Sequence, residues 1–186
     1  MSAEDVAKDF ISCDSCISAC EKSGRWNESV NLLGAMSYQT VECIVISYNS
    51  VISSCEKGGQ WDLALDVLQN LRSQYLDATA ISFNSCISAC EACGCWTFAL
   101  CLLDDISEAS LVPTGVSYGA AIGACEKGEQ WNWALRFLTD WLKSRPDANE
   151  ITCSAAVAAC VKGDSLQQAV ALLRGMRASC IVRLTD

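Results

Sequence analysis

The side chains best equipped for chemistry in this chain of 186 residues are its 14 cysteines, because it has no histidine. Without an imidazole there is no His-based acid–base catalysis, no Ser-His-Asp or Cys-His arrangement, and no zinc site that needs a ring nitrogen. Two cysteine clusters have the spacing to hold a soft metal: Cys90, Cys93 and Cys95 with Cys86 and Cys101 nearby, and Cys13, Cys16 and Cys20. Neither is matched by a second Cys-x-x-Cys at a fixed distance, so no metal and no other cofactor is expected. Asp104 and Asp105 are adjacent, so their carboxylates diverge on a helix and read as solvated. No catalytic residue is assigned, and no enzymatic activity or small-molecule substrate is expected.

Five of the cysteines belong instead to a regular series. Cys20, Cys55, Cys90, Cys125 and Cys160 lie 35 residues apart. Ile17, Ile52, Ile87, Ile122 and Val157 keep the same step, as do Trp26, Trp61, Trp96, Trp131 and Leu166. A fixed period between about 20 and 50 residues is the signature of a solenoid or similar array. After an N-terminal extension (1–9), the units run 10–44, 45–79, 80–114, 115–149 and 150–184.

Each unit reads as two helices. Tyr48, Val51, Ile52 and Cys55 fall at i, i+3, i+4 and i+7, one apolar stripe, and Trp61, Ala64, Leu65 and Leu68 form a second. Ser12, Ser47, Ser82, Ser117 and Thr152 precede the first stripe and are expected as N-caps. Gly24, Gly59 and Gly94 are expected to end the first helix, with the glycine moved by one position to Gly128 and Gly163 in later units. The tryptophan column lies on the second stripe and is read as core, not as a base-stacking platform. No segment alternates with period two for long. The expected fold is all-α, a single right-handed superhelical α-solenoid of two-helix (helix-turn-helix) repeats. Residues 177–186 read as a connector and not a capping helix, so the chain is expected to be a piece of a longer array.

Composition bounds the partners. With 51% apolar and 19% charged residues the chain is not disordered. No apolar run reaches the roughly 18 residues of a membrane span, so no membrane partner is expected. The opening MSAEDVAKDF resembles neither a signal nor a transit peptide, which leaves an intracellular, reducing compartment as the default. The net charge of −9 opposes non-specific nucleic-acid binding.

The 35-residue, two-helix unit resembles the pentatricopeptide repeat. The resemblance is carried by ISYNSVIS (46–53), ISFNSCIS (81–88) and VSYGAAIG (116–123) for the opening helix, and by EKGGQWDLALDVL (56–68) and EKGEQWNWALRFL (126–138) for the turn and second helix. It implies a single-stranded RNA-binding adaptor that takes one base per repeat, in organelle RNA processing, editing, stability or translation, and so a chloroplast or mitochondrial location. By the resemblance, Ile11, Ile46, Ile81, Val116 and Ile151 sandwich bases, and Lys22, Lys57, Lys127 and Lys162 meet phosphates, with Ala92 breaking that column. The residue after the aromatic, with the last residue of the unit, reads the base edge. Asn49 with Thr79 and Asn84 with Thr114 are the good pairs, leaning towards pyrimidines. Gly119 with Asn149, Ser154 with Leu184 and Asp14 with Ile44 fit poorly. Glu21, Glu56, Glu91 and Glu126 fall seven residues after the base-reading position, within about 20° of the same helix face, so RNA affinity should be modest. These glutamates either line the groove or pair with lysines of adjacent repeats. The rival is a protein–protein scaffold using the same concave face, or association with further repeats.

Overall fold

The computed structural model describes residues 3–36, 41–144, 150–163, 165, 167 and 170–171. Among them are nine α-helices: α1 (Ala3–Ser23), α2 (Trp26–Ala35), α3 (Val41–Lys57), α4 (Trp61–Ser73), α5 (Ala80–Cys93), α6 (Trp96–Glu108), α7 (Gly115–Lys127), α8 (Trp131–Ser144) and α9 (Glu150–Lys162). They form helical hairpins stacked in order, an all-α solenoid. The first helices α1, α3, α5, α7 and α9 pack each on the next, whereas no two second helices make backbone contact among the described residues. One side of the stack is therefore tight and the other splayed.

Side-chain size produces that difference. Ala89, Ala120, Ala121 and Ala124 lie fully or almost fully buried on first helices, where small residues let backbones approach closely. On the splayed side large rings span the gap: Trp61 meets Phe98 with centroids 5.0 Å apart, and Trp96 meets Trp133 at 6.3 Å. The tryptophan column is half-buried and packed against the core. Tyr48 and Phe83 are buried, as are Cys55, Cys90, Cys125 and Cys160.

The bend between the two helices of each hairpin explains why the cysteine column is so regular. Arg25, Gln60, Cys95, Gln130 and Ser165 donate their backbone N–H to the carbonyls of Cys20, Cys55, Cys90, Cys125 and Cys160, at 2.8–2.9 Å. This is the six-to-one bond of a Schellman motif, and the cysteine sits where its side chain enters the core while its carbonyl closes the turn. The left-handed residue of that motif is Gly24, Gly59 or Gly94 in the first three units, but Glu129 (φ 58°) in the fourth. The glycine expected to have moved by one position has not moved. Gly128 belongs to a second column, with Gly58 and Gly163, that the preceding unit's tryptophan covers. A Cβ there would lie 2.3 Å from Cδ1 of Trp26, 2.5 Å from that of Trp96 and 2.1 Å from that of Trp131.

The N-caps also differ from expectation. Thr79 and Thr114 cap α5 and α7, each accepting the N–H of Ser82 or Ser117 three residues on. The two serines are the reciprocal members of capping boxes and return their oxygens to the N–H of the threonines. The polar residue nearest the apolar stripe was one turn too late to be the cap itself.

Candidate nucleic-acid interface

The tight side of the stack presents an unusual surface. Ile46 stands in the second turn of α3, and Ile81 and Val116 in the first turns of α5 and α7, at 51%, 65% and 62% exposure, although the next residues, Ser47, Ser82 and Ser117, are buried. Aliphatic side chains gain by leaving water, so three of them kept outside at one register need a cause other than folding. One turn deeper lie Asn49 and Asn84. Asn49 Nδ2 donates to Thr79 Oγ1 at 3.3 Å, and Asn84 Nδ2 to Thr114 Oγ1 at 3.4 Å. The two residue pairs singled out in the sequence are thus in contact, each joining the first helix of one unit to the cap of the next.

Sequence reasoning missed a third member of each group. Ser82 Oγ donates to Asn49 Oδ1 at 2.5 Å and Ser117 Oγ to Asn84 Oδ1 at 2.6 Å. Asp14 is held in the same way, by Ser47 Oγ at 2.9 Å, and the side chain of Ile44 lies outside the described residues. The serine column is visible at the 35-residue period, but its position before an apolar stripe points to capping alone.

Beyond the asparagines the face is lined by alternating charge. Lys57 Nζ lies 3.1 Å from Glu21 Oε1, and Lys162 Nζ 2.9 Å from Glu126 Oε1, so these glutamates pair with lysines of the following unit. Ser53 Oγ also donates to Glu21. At the same offset in sequence, the partner position of Glu56 is Ala92, which replaces lysine. Burial pushes its carboxyl above the ordinary 4.5; Lys57 and a hydrogen bond from Ser85 oppose that rise, while Glu91 and Glu21 add to it. Burial also raises Glu91, against the pull of Lys127 and with the push of Glu126. Lys22 and Lys127 are exposed at the ends of α1 and α7.

The fourth unit breaks the pattern. Gly119 stands where Asn49 and Asn84 stand, and Gly123 where Ser53 and Ser88 do. The result is a recess of about 640 Å³ lined by Glu91, Val116, Gly119, Gly123, Glu126 and Ser154, among others. Glu91 leans over Gly123, whose Cβ would meet its Oε1 at 2.6 Å. Ser154 is exposed, and the side chains of Ile11, Asn149 and Ile151 lie outside the described residues. Among the described residues no group of three or more metal-ligating side chains comes together. No described helix is long and apolar enough to cross a membrane.

Three segments, 11–39, 46–75 and 81–111, match the family described as PPR repeat. No curated protein matches the sequence. The fold is similar to that of the pentatricopeptide repeat protein PPR10 crystallised in complex with an 18-nt psaJ RNA element, with TM-score 0.70 and 23% identity over 89% of this chain. It is also similar to PPR10 from maize, with TM-score 0.65 and 20% identity over 90% of this chain. This chain spans only 24% and 29% of the length of the PPR10 chains in those two structures.

Proposed function

Because the chain belongs to the pentatricopeptide repeat family, we propose that it is a single-stranded RNA-binding adaptor without catalytic chemistry of its own. The observation that carries the reading is the same constellation built twice on the tight face. Exposed Ile46 stands beside the Asn49–Thr79 pair, and exposed Ile81 beside Asn84–Thr114. An exposed aliphatic surface can hold the face of a base while a neighbouring amide meets its edge, and an unpaired strand offers both. Ile46, Asn49, Thr79, Ile81, Asn84 and Thr114 form the selective part of the site. Val116, Ile11 and Ile151 continue the sandwich column. Lys22, Lys57, Lys127 and Lys162 meet phosphates, while Asn149 and Ser154 are the polar members of the weaker outer pairs, whose partners Gly119 and Leu184 offer no hydrogen-bonding side chain. Organelle RNA processing, editing, stability or translation is the setting we propose.

The second reading, a protein-binding scaffold, is favoured by one specific observation: Lys57 and Lys162 are already engaged by Glu21 and Glu126. Fluorescence-anisotropy titration with short RNA pools separates the two. Four phosphate contacts on a single strand give a log–log salt slope of about −3, at roughly −0.7 each. An RNA adaptor shows that slope and prefers RNA to an acidic polymer of equal charge. A scaffold shows neither.

A further inference from the structure

We propose that Ser82 and Ser117 are specificity-positioning residues, each locking the side-chain amide of the preceding unit's asparagine into one of its two orientations. The inference rests on the reading that Asn49 and Asn84 face bases. Three contacts close a ring across each junction. Asn49 Nδ2 donates to Thr79 Oγ1 (3.3 Å), the hydroxyls of Thr79 and Ser82 share a bond (3.1 Å), and Ser82 Oγ donates to Asn49 Oδ1 (2.5 Å). The next junction repeats it with Asn84, Thr114 and Ser117 at 3.4, 3.1 and 2.6 Å.

A hydroxyl carries one proton, so such a ring has a direction. Two observations choose it. O–H···O bonds are shorter than N–H···O bonds, and both serine contacts are the short ones, so the serines meet the amide oxygens and the threonines the amide nitrogens. At the junction of the first and second units the same column places Ser47 against Asp14, whose ionised carboxylate only accepts, so the serine is a donor there. Ser47, Ser82 and Ser117 are 0%, 0% and 1% exposed, so water does not compete for their protons. With one Nδ2 proton and one Oδ1 lone pair held in the ring, each asparagine has one donor and one acceptor left, in fixed places. Turning the amide over would exchange them, and a base edge that fits one arrangement clashes with the other. Base choice at one unit is then set partly from the next.

The test compares RNAs that differ only at the nucleotide facing the second unit. Asn49→Ala should abolish the preference among bases. Ser82→Ala should cut it about fivefold, as expected for one lost orienting hydrogen bond, while changing affinity for a mixed pool less than about twofold. Ser82→Thr, which keeps the hydroxyl, should restore the preference. If Ser82→Ala keeps the parent's preference while Asn49→Ala loses it, or lowers binding equally for all bases, the positioning role is refuted. If Asn49→Ala itself leaves the preference intact, the base-reading assignment falls first, and the inference with it. Should Ser82→Ala lose helicity, Ser117→Ala with Asn84 applies the same comparison. The parent protein supplies a readout without any variant: solvent exchange of the Asn49 and Asn84 side-chain amides should be about fivefold or more slower than that of exposed Asn132. Equal rates would overturn the ring.

Discussion

The second and third units share one scaffold with the fourth but not one surface. Each has a buried cysteine closing a Schellman turn, a tryptophan leading its second helix and an aliphatic residue exposed on the inner face. Units two and three add an asparagine tied to the next cap, where unit four has Gly119 and a recess. The core columns and the inner-face columns thus vary independently. A position that must fill a core tolerates few residue types, whereas a side chain on a helix surface can be deleted with little harm to folding. The array can therefore change what it reads without changing how it stands.

The largest expected effect tests the sameness of the scaffold. Burial pushes the thiol of Cys55 up to about 11 and those of Cys90 and Cys125 up to about 12. At pH 8 native-state alkylation should label Cys55 about a hundredfold, and Cys90 and Cys125 about a thousandfold, more slowly than exposed Cys16, Cys93 and Cys101, because only the thiolate reacts. Mass spectrometry of the labelled protein measures this. Fast labelling of Cys125 alone would show that the fourth unit is not stacked like its neighbours.

Next in size is the difference between the surfaces. Asn49→Ala and Asn84→Ala should each cost about five- to tenfold in base discrimination at one nucleotide, and Gly119→Ala nothing. Gly119→Asn should create discrimination at a nucleotide where the parent has none. Competition binding with single-substitution RNAs checks all four, and selectivity already present opposite the fourth unit would erase the contrast.

A smaller effect concerns charge. Replacing Glu56, Glu91 and Glu126 with Gln should tighten RNA binding about two- to fivefold at low salt, a gain that disappears once added salt screens the groove. Replacing Lys57 and Lys127 with Ala should weaken binding for every sequence alike. Anisotropy at two salt concentrations reads both, and a Gln variant no tighter than the parent would favour the scaffold reading.

The smallest effect is a pH dependence of stability. Glu56 and Glu91 have carboxyls raised by burial, so folding favours their protonated forms. The stability they contribute is fully present below the ordinary value and is lost as pH rises through the raised one. Urea midpoints should therefore fall less between pH 4.5 and 7 in the double Gln variant than in the parent. Parallel curves would mean that these carboxylates titrate as if in water.

The repeating columns made the hairpins and their stacking legible, because a buried position at a 35-residue step constrains residue type in every unit. The Asn–Thr pairs came only from the resemblance, since nothing in the spacing of Asn49 and Thr79 says that a second helix folds back between them. What escaped the sequence were relations between units. Ser82 looks like a cap until its hydroxyl is seen on Asn49, and Gly128 looks like a displaced turn residue until Trp96 is seen above it. Both choices, groove or ion pair, were open for the glutamates, and Glu21 and Glu126 are paired with the following unit's lysines.

Anyone who recombines these units as interchangeable cassettes must decide where to cut. The 35-residue frame separates Trp96 from Gly128, although in space they form a single joint. Exchanging 115–149 for a unit with cysteine at the Gly128 position would force Trp96 to find a new seat. The second-to-third junction already shows such a variant, since Trp61 precedes Cys93 where the second, fourth and fifth units have glycine. A cut in the hairpin bend, just before the tryptophan, keeps joint and partner on one fragment, since residues 96–130 carry both Trp96 and Gly128. The unit of inheritance written in the sequence is offset from the unit that fits together.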